Sequence, residues 1–105
     1  MQPILTLFYP ATTRDFDVTY YAGQHLPLVD RIWGSFLDRV EVLKGVTSLV
    51  PGAALPFAAL TVLYFKSDAD LQEALAHPDA VLLQQDIARF SDVSPIGQVN
   101  VAVTA

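Results

Sequence analysis

The sequence predicts an α+β fold with the element order βαββαβ, a four-stranded antiparallel sheet that carries both helices on one face. Three observations lead there. Apolar residues alternate or run unbroken in four short segments, as strands require. Between the first and second of these, residues 16–33 set Val18, Tyr21, Ala22, Leu26, Leu28, Val29, Ile32 and Trp33 along one helical stripe. Between the third and fourth, Ser67 and Asp70 form a capping pair ahead of Leu71, Ala74 and Leu75. Such an order is the split βαβ pattern of a ferredoxin-like domain.

The first strand covers residues 4–9 and stops at the turn signal Pro10. Asp15 is positioned to cap the first helix, and Gly34 lies just past its end. Pro27 removes a backbone donor in mid-helix and leaves the Gly23 carbonyl unpaired, which predicts a kink. Residues 36–46 alternate Arg39 and Glu41 with Val40 and Val42, a strand with one wetter face, and Gly45 marks its end. A loop holding Pro51, Gly52 and Pro56 leads into residues 58–65, a nearly continuous apolar run that reads as a well-covered strand. His77 precedes Pro78 and is pushed out of the helical region. Pro78 is then expected to open a short helical piece reaching about Ile87, which with the loop through Phe90 forms a mobile cover over a pocket. The last strand alternates Val99, Val101 and Val103 against Gln98, Asn100 and Ala102.

The 105 residues read as one domain, 1–105, with no repeat or linker. With no cysteine, thiolate metal sites, disulfides and cysteine nucleophiles are excluded, and a reducing compartment fits best. Six basic against eleven acidic residues leave a formal charge of -5, which repels nucleic acid and anionic lipid. The first apolar run follows no basic segment and is too short to span a membrane, so the protein reads as cytoplasmic. Only 16% of residues are charged while 52% are hydrophobic, so apolar surface is in surplus. The surplus is visible in the strands: Ile4 and Phe8 oppose Leu5 and Leu7, while Thr61 and Leu63 oppose Leu60, Val62 and Tyr64. Helices cover one sheet face, so a partner must cover the other, and a second copy is the economical choice. Which set faces the partner is left open by the alternation.

His25 falls near the centre of the apolar helical stripe and is expected to point at the sheet. Two readings stay open, a core histidine with a satisfied hydrogen bond or a general acid or base at the floor of an apolar pocket. Tyr21, one turn earlier, offers a hydroxyl to His25 or to a ligand, while Tyr20 is expected to point roughly opposite. Asp17 and Asp70 suit the first turns of helices, and Asp86 and Arg89 are spaced for a surface ion pair. The two histidines, His25 and His77, are far apart in sequence, so no metal site is expected.

Phe16, Asp17, Tyr20, Tyr21, His25, Pro27, Leu28 and Val29 form a pattern that resembles the EthD family, whose members are similar to the dimeric α+β barrel superfamily. Gly45, Ala59, Leu63, Tyr64, Phe65, Ser67, Asp86 and Phe90 extend the likeness over most of the chain, while residues 47–56 look individual. At Phe57 and Ala58 the sequence departs from a tyrosine and a more polar neighbour. The resemblance implies a dimeric α+β barrel, a homodimer and a link to the breakdown of organic compounds such as ether fuel additives. Superfamily relatives include cofactor-free monooxygenases, polyketide cyclases, lactone isomerases and haem enzymes, and a shared fold transfers none of these activities by itself.

The expected function is therefore to bind or transform a small hydrophobic organic molecule in a catabolic or biosynthetic pathway, with no cofactor. His25 is the expected acid or base, and Tyr21, Phe57, Tyr64 and Phe90 are the expected substrate-binding residues. If the protein is an enzyme, its type is a cofactor-free monooxygenase, cyclase or isomerase. The alternative is a non-catalytic module that carries a small molecule for a partner enzyme, and a haem-linked role rests on superfamily analogy alone.

Overall fold

The structure is a computed structural model that describes residues 1–11 and 16–104. Strands β1 (Ile4–Pro10), β2 (Leu37–Lys44), β3 (Phe57–Phe65) and β4 (Ile96–Asn100) form one antiparallel sheet in the order β2-β3-β1-β4. The first helical region runs through α1 (Val18–Tyr20), a π turn (Tyr21–His25) and α2 (Leu26–Trp33). The second comprises α3 (Asp68–Ala76) and α4 (Ala80–Asp86). Both regions pack on the same sheet face, and the α+β, ferredoxin-like architecture is the one the sequence predicts.

Register decides what the alternation left open. Leu5 pairs with Leu63, Leu7 with Thr61 and Tyr9 with Ala59, and these residues face the helices. There Leu5, Leu63 and Phe65 meet Val29, Ile32, Trp33, Leu71, Ala74 and Leu83 in the larger core cluster. Ile4, Thr6, Phe8, Leu60, Val62 and Tyr64 turn to the other face, which no helix among the described residues covers. A bulge where Tyr9 gives way to Pro10 inserts Ala58 and reverses the side on which Phe57 emerges, so that its ring packs on Phe8 at 5.4 Å.

Local chemistry explains most boundaries. Asp17 accepts a hydrogen bond from the Tyr20 N–H at 2.9 Å and so caps α1, while the expected cap Asp15 lies outside the described residues. Ser67 caps α3 by accepting from the Asp70 N–H at 3.1 Å. Its hydroxyl in turn donates to the Asp70 carboxylate at 2.7 Å, a shorter reach than the glutamate of a full capping box makes. Pro78 does not open α4. The Ala80 N–H bonds to the His77 carbonyl and the His77 imidazole captures the Asp79 N–H, a turn that delays the helix to Ala80. Nor does the last strand reach Val101 and Val103. Asn100 pairs with Ile4, the first residue of β1, and Pro3 ahead of it gives its carbonyl to the Phe65 N–H on the opposite side.

Gly45 follows β2 where its N–H bonds the Ala58 carbonyl at 2.8 Å. A methyl group there would lie 2.3 Å from the Phe57 carbonyl oxygen, too close for any Cβ. Gly45→Ala is expected to destabilise the fold by about 1–3 kcal/mol, since backbone rather than a side-chain tip must move. Denaturant unfolding of the variant checks this, and unchanged stability would show that the β2–β3 loop is not held as described.

Candidate functional site

Between the first helical region and the sheet lies a cavity of about 230 Å³. Its walls are Leu7, Val29, Leu63, Leu83 and Ile87, with the polar groups of Tyr9, Tyr21, His25, Thr61 and Gln84 set among them. α4 supplies Leu83, Gln84 and, just past its end, Ile87, so the segment after Pro78 does form part of the cover. A wider depression of about 790 Å³, lined by Asp17, Lys44 and Arg89 among others, sits apart and does not include His25.

The kink that Pro27 predicts appears as the π turn just before it, where the Leu26 N–H reaches the Tyr21 carbonyl five residues back. Widening the helix here relieves the clash of the proline ring with the preceding turn and absorbs the lost donor. It also redirects side chains. In a regular α-helix, residues five apart diverge by about 140°, whereas a π turn brings them close to one side. Tyr20 and His25 accordingly meet on one carboxylate. The Tyr20 hydroxyl donates to Asp86 Oδ1 at 2.6 Å and His25 Nδ1 bonds Asp86 Oδ2 at 2.9 Å. Tyr20 is thus part of the site's support rather than turned away from it, and Asp86 is more than the partner of Arg89, whose Nε lies 3.5 Å from Oδ1.

His25 is only 4% exposed. Burial lowers its pKa from the usual value, and the hydrogen bond and charge of Asp86 offset that only in part. For Asp86, burial pushes the carboxyl up, but hydrogen bonds from Tyr20 and His25, with the charges of His25 and Arg89, outweigh it and leave the pKa below the usual range. An ionised carboxylate only accepts hydrogen bonds, so Nδ1 carries the imidazole proton and Nε2 holds the lone pair. The pair is a neutral imidazole oriented by a carboxylate anion.

Phe90, fully buried, stands 4.6 Å from the His25 ring and 4.9 Å from the Tyr21 ring and holds both from behind. The Tyr21 hydroxyl bonds Thr61 Oγ1 on β3 rather than His25. Burial raises its pKa, with its hydrogen bonds to Thr61 and Tyr9 pulling the other way. Of the residues expected from sequence, Tyr21 and His25 line the cavity and Phe90 supports them. Phe57 and Tyr64 lie on the uncovered sheet face, Phe57 because of the bulge and Tyr64 by strand parity. Tyr64 donates there to Glu41 at 2.7 Å, under the Arg39 guanidinium. Sequence reasoning missed Tyr9, Thr61 and Asp86. The signals were present: Thr61 is a polar residue inside an apolar strand, and Asp86 is the one carboxylate between Val81 and Ile87.

Among the described residues, no three His, Asp or Glu side chains gather to hold a metal ion, and no helix is long and apolar enough to cross a membrane.

The sequence pattern of the EthD domain matches residues 9–94. None of the curated proteins compared with the chain matches it. Among solved structures, an EthD-like protein from Ralstonia eutropha JMP134 superposes with a TM-score of 0.87 at 27% identity, covering 98% of this chain and 93% of its own. SnoaB, a cofactor-independent oxygenase from Streptomyces nogalater, has a TM-score of 0.68 at 8% identity, with 99% and 94% covered, and shares the fold. A dimeric ferredoxin-like protein from Thermobifida fusca YX has a TM-score of 0.58 at 14% identity, with 96% and 90% covered. The matched pattern runs from the end of β1 to the approach to β4 and encloses the π turn, His25 and Asp86: the chain belongs to the EthD family.

Proposed function

We propose that this protein binds a small hydrophobic organic molecule in the 230 Å³ cavity and that His25 acts on it as a general base, without a cofactor. The setting is a catabolic or biosynthetic conversion, and the cysteine-free acidic sequence supports a cytoplasmic place for it. The observation that carries the reading is the 2.9 Å hydrogen bond from His25 Nδ1 to Asp86, made at the edge of an apolar cavity. A histidine kept only for packing has no need of an open space beside it, and burial here favours the neutral, proton-accepting form. When Nε2 takes a proton from an acidic C–H or O–H of the ligand, the imidazolium that forms faces the Asp86 carboxylate, which stabilises it.

The active unit is a homodimer whose sheets face each other. Apolar Ile4, Phe8, Leu60 and Val62 on the helix-free face support this, as does the dimeric state of the Thermobifida relative.

Exchange of the α-protons of 2-tetralone for deuterium, followed by NMR, tests the base. The wild type is expected to accelerate exchange, and His25→Gln to lose about 10²–10⁴-fold of that rate while remaining folded. The rate should rise with pH through a value below the usual 6.5 and level off above it, because only the neutral imidazole accepts a proton. Equal exchange by wild type and variant would remove the base role. Tight binding without exchange would instead favour a carrier.

A further inference from the structure

The cavity opens where exposed residues reach its lining. Tyr21, His25 and Thr61 on its floor are buried, whereas Leu75 near the end of α3 and Gln84 on α4 line it and are exposed. A second depression of about 380 Å³ begins at this mouth, sharing Gln84, Ile87 and Pro95 with the cavity and continuing past Ser91 and Ser94. The chemistry changes from one to the other. Inside, the walls are mainly apolar; outside, the Gln84 amide and the Ser94 hydroxyl stand at the surface. Ser91 is already engaged, since its hydroxyl donates to the Val93 carbonyl at 2.7 Å and accepts from the Val93 N–H at 3.2 Å, closing the loop that carries Ser94. An amide and a hydroxyl each donate and accept, so together they suit a neutral group that does the same.

We propose that the depression is an outer subsite continuous with the cavity, and that the ligand is an uncharged molecule in two parts. A flat apolar body of one or two rings lies beside His25, and a short arm ending in a hydroxyl or primary amide passes the mouth to pair with Gln84 and Ser94. The inference rests on the cavity reading above and specifies its ligand. Size sets the body: an apolar cavity of about 150 Å³ takes up benzene, and this one is about half as large again at 230 Å³. Small-molecule sites usually span roughly 300–1,000 Å³, a range that the cavity reaches only together with the depression at its mouth. Charge sets the arm. Among the described residues lining the two compartments there is no lysine or arginine, and Asp92 lines the outer one, so a carboxylate or phosphate would arrive without a cation.

The test uses three probes with one naphthalene body: 2-naphthol without an arm, 2-(2-naphthyloxy)ethanol with a hydroxyl arm and (2-naphthyloxy)acetate with an ionised one. Calorimetry measures the binding of each to wild type, Gln84→Leu and Ser94→Trp. The wild type is expected to bind the alcohol about tenfold tighter than 2-naphthol, and the acetate about tenfold more weakly than the alcohol. Both variants should lose most of the alcohol's advantage while 2-naphthol binds as before. Gln84→Leu removes the amide, and Ser94→Trp fills the depression from a position outside the cavity lining. Both positions are exposed, so thermal unfolding should stay near the wild-type temperature. Equal binding of alcohol and 2-naphthol by the wild type overturns the outer subsite while the cavity reading stands. Acetate bound as tightly as alcohol overturns the uncharged arm, and an advantage kept in both folded variants overturns its placement. Binding of none of the three probes by the wild type removes the cavity reading and this inference together.

Discussion

Asp86→Asn is expected to abolish most proton transfer while leaving the fold intact. The amide is the same size as the carboxylate, but its two ends differ. Tyr20 donates to the Oδ1 position, and Arg89, which offers only donors, lies beside the same atom. Both hold the amide oxygen there, so the amide NH₂ faces His25 Nδ1. The imidazole must then accept at Nδ1 and carry its proton on Nε2, the wrong tautomer for a base facing the cavity. The deuterium exchange of 2-tetralone should fall by about 10²–10⁴-fold, on the scale of losing general base catalysis. Binding of uncharged 2-naphthol should change little. Exchange at the wild-type rate in Asp86→Asn would show that the carboxylate does not orient the base.

A charge on the uncovered sheet face should have an effect of similar size on assembly. Val62 sits opposite Thr6 on that face and is half-buried in the single chain, whereas Leu63 beside it is buried in the core. Val62→Asp should therefore fold as a monomer, and the dimer should be lost, because an unpaired carboxylate in a face-to-face sheet contact costs several kcal/mol. Leu63→Asp should fail to fold at all. Light scattering across a dilution series reads the difference. A dimer that persists in Val62→Asp would place the interface elsewhere, and a wild type that is monomeric at low micromolar concentration would remove it.

How much was legible beforehand depends on the range of the interactions involved. β1, β3 and the α2 stripe follow from local period and composition, and Ser67 with Asp70 announces α3 because a cap is a contact across three residues. The two faces of β1 and β3 were not distinguishable. Both are apolar, and only packing against Trp33 and Phe65 fixes which set is inside. Pro27 foretold a distortion but not its form, and the form matters, since the π turn is what delivers Tyr20 and His25 to one carboxylate. The His25–Asp86 contact spans 61 positions and exists only because α4 docks on the first helical region, which no local pattern encodes. Phe57 was misleading for a similar reason: one inserted residue at Ala58 moves its ring to the other face of the sheet.

The central claim is that His25 is a neutral base with its lone pair on Nε2, held so by Asp86. The ¹⁵N resonances of its imidazole, followed through a pH titration, test that claim most directly. The account predicts a protonated Nδ1 and an unprotonated Nε2 at neutral pH, the less populated tautomer of a free histidine side chain, with titration below 6.5. A proton on Nε2 at neutral pH, or titration at or above 6.5, would contradict it.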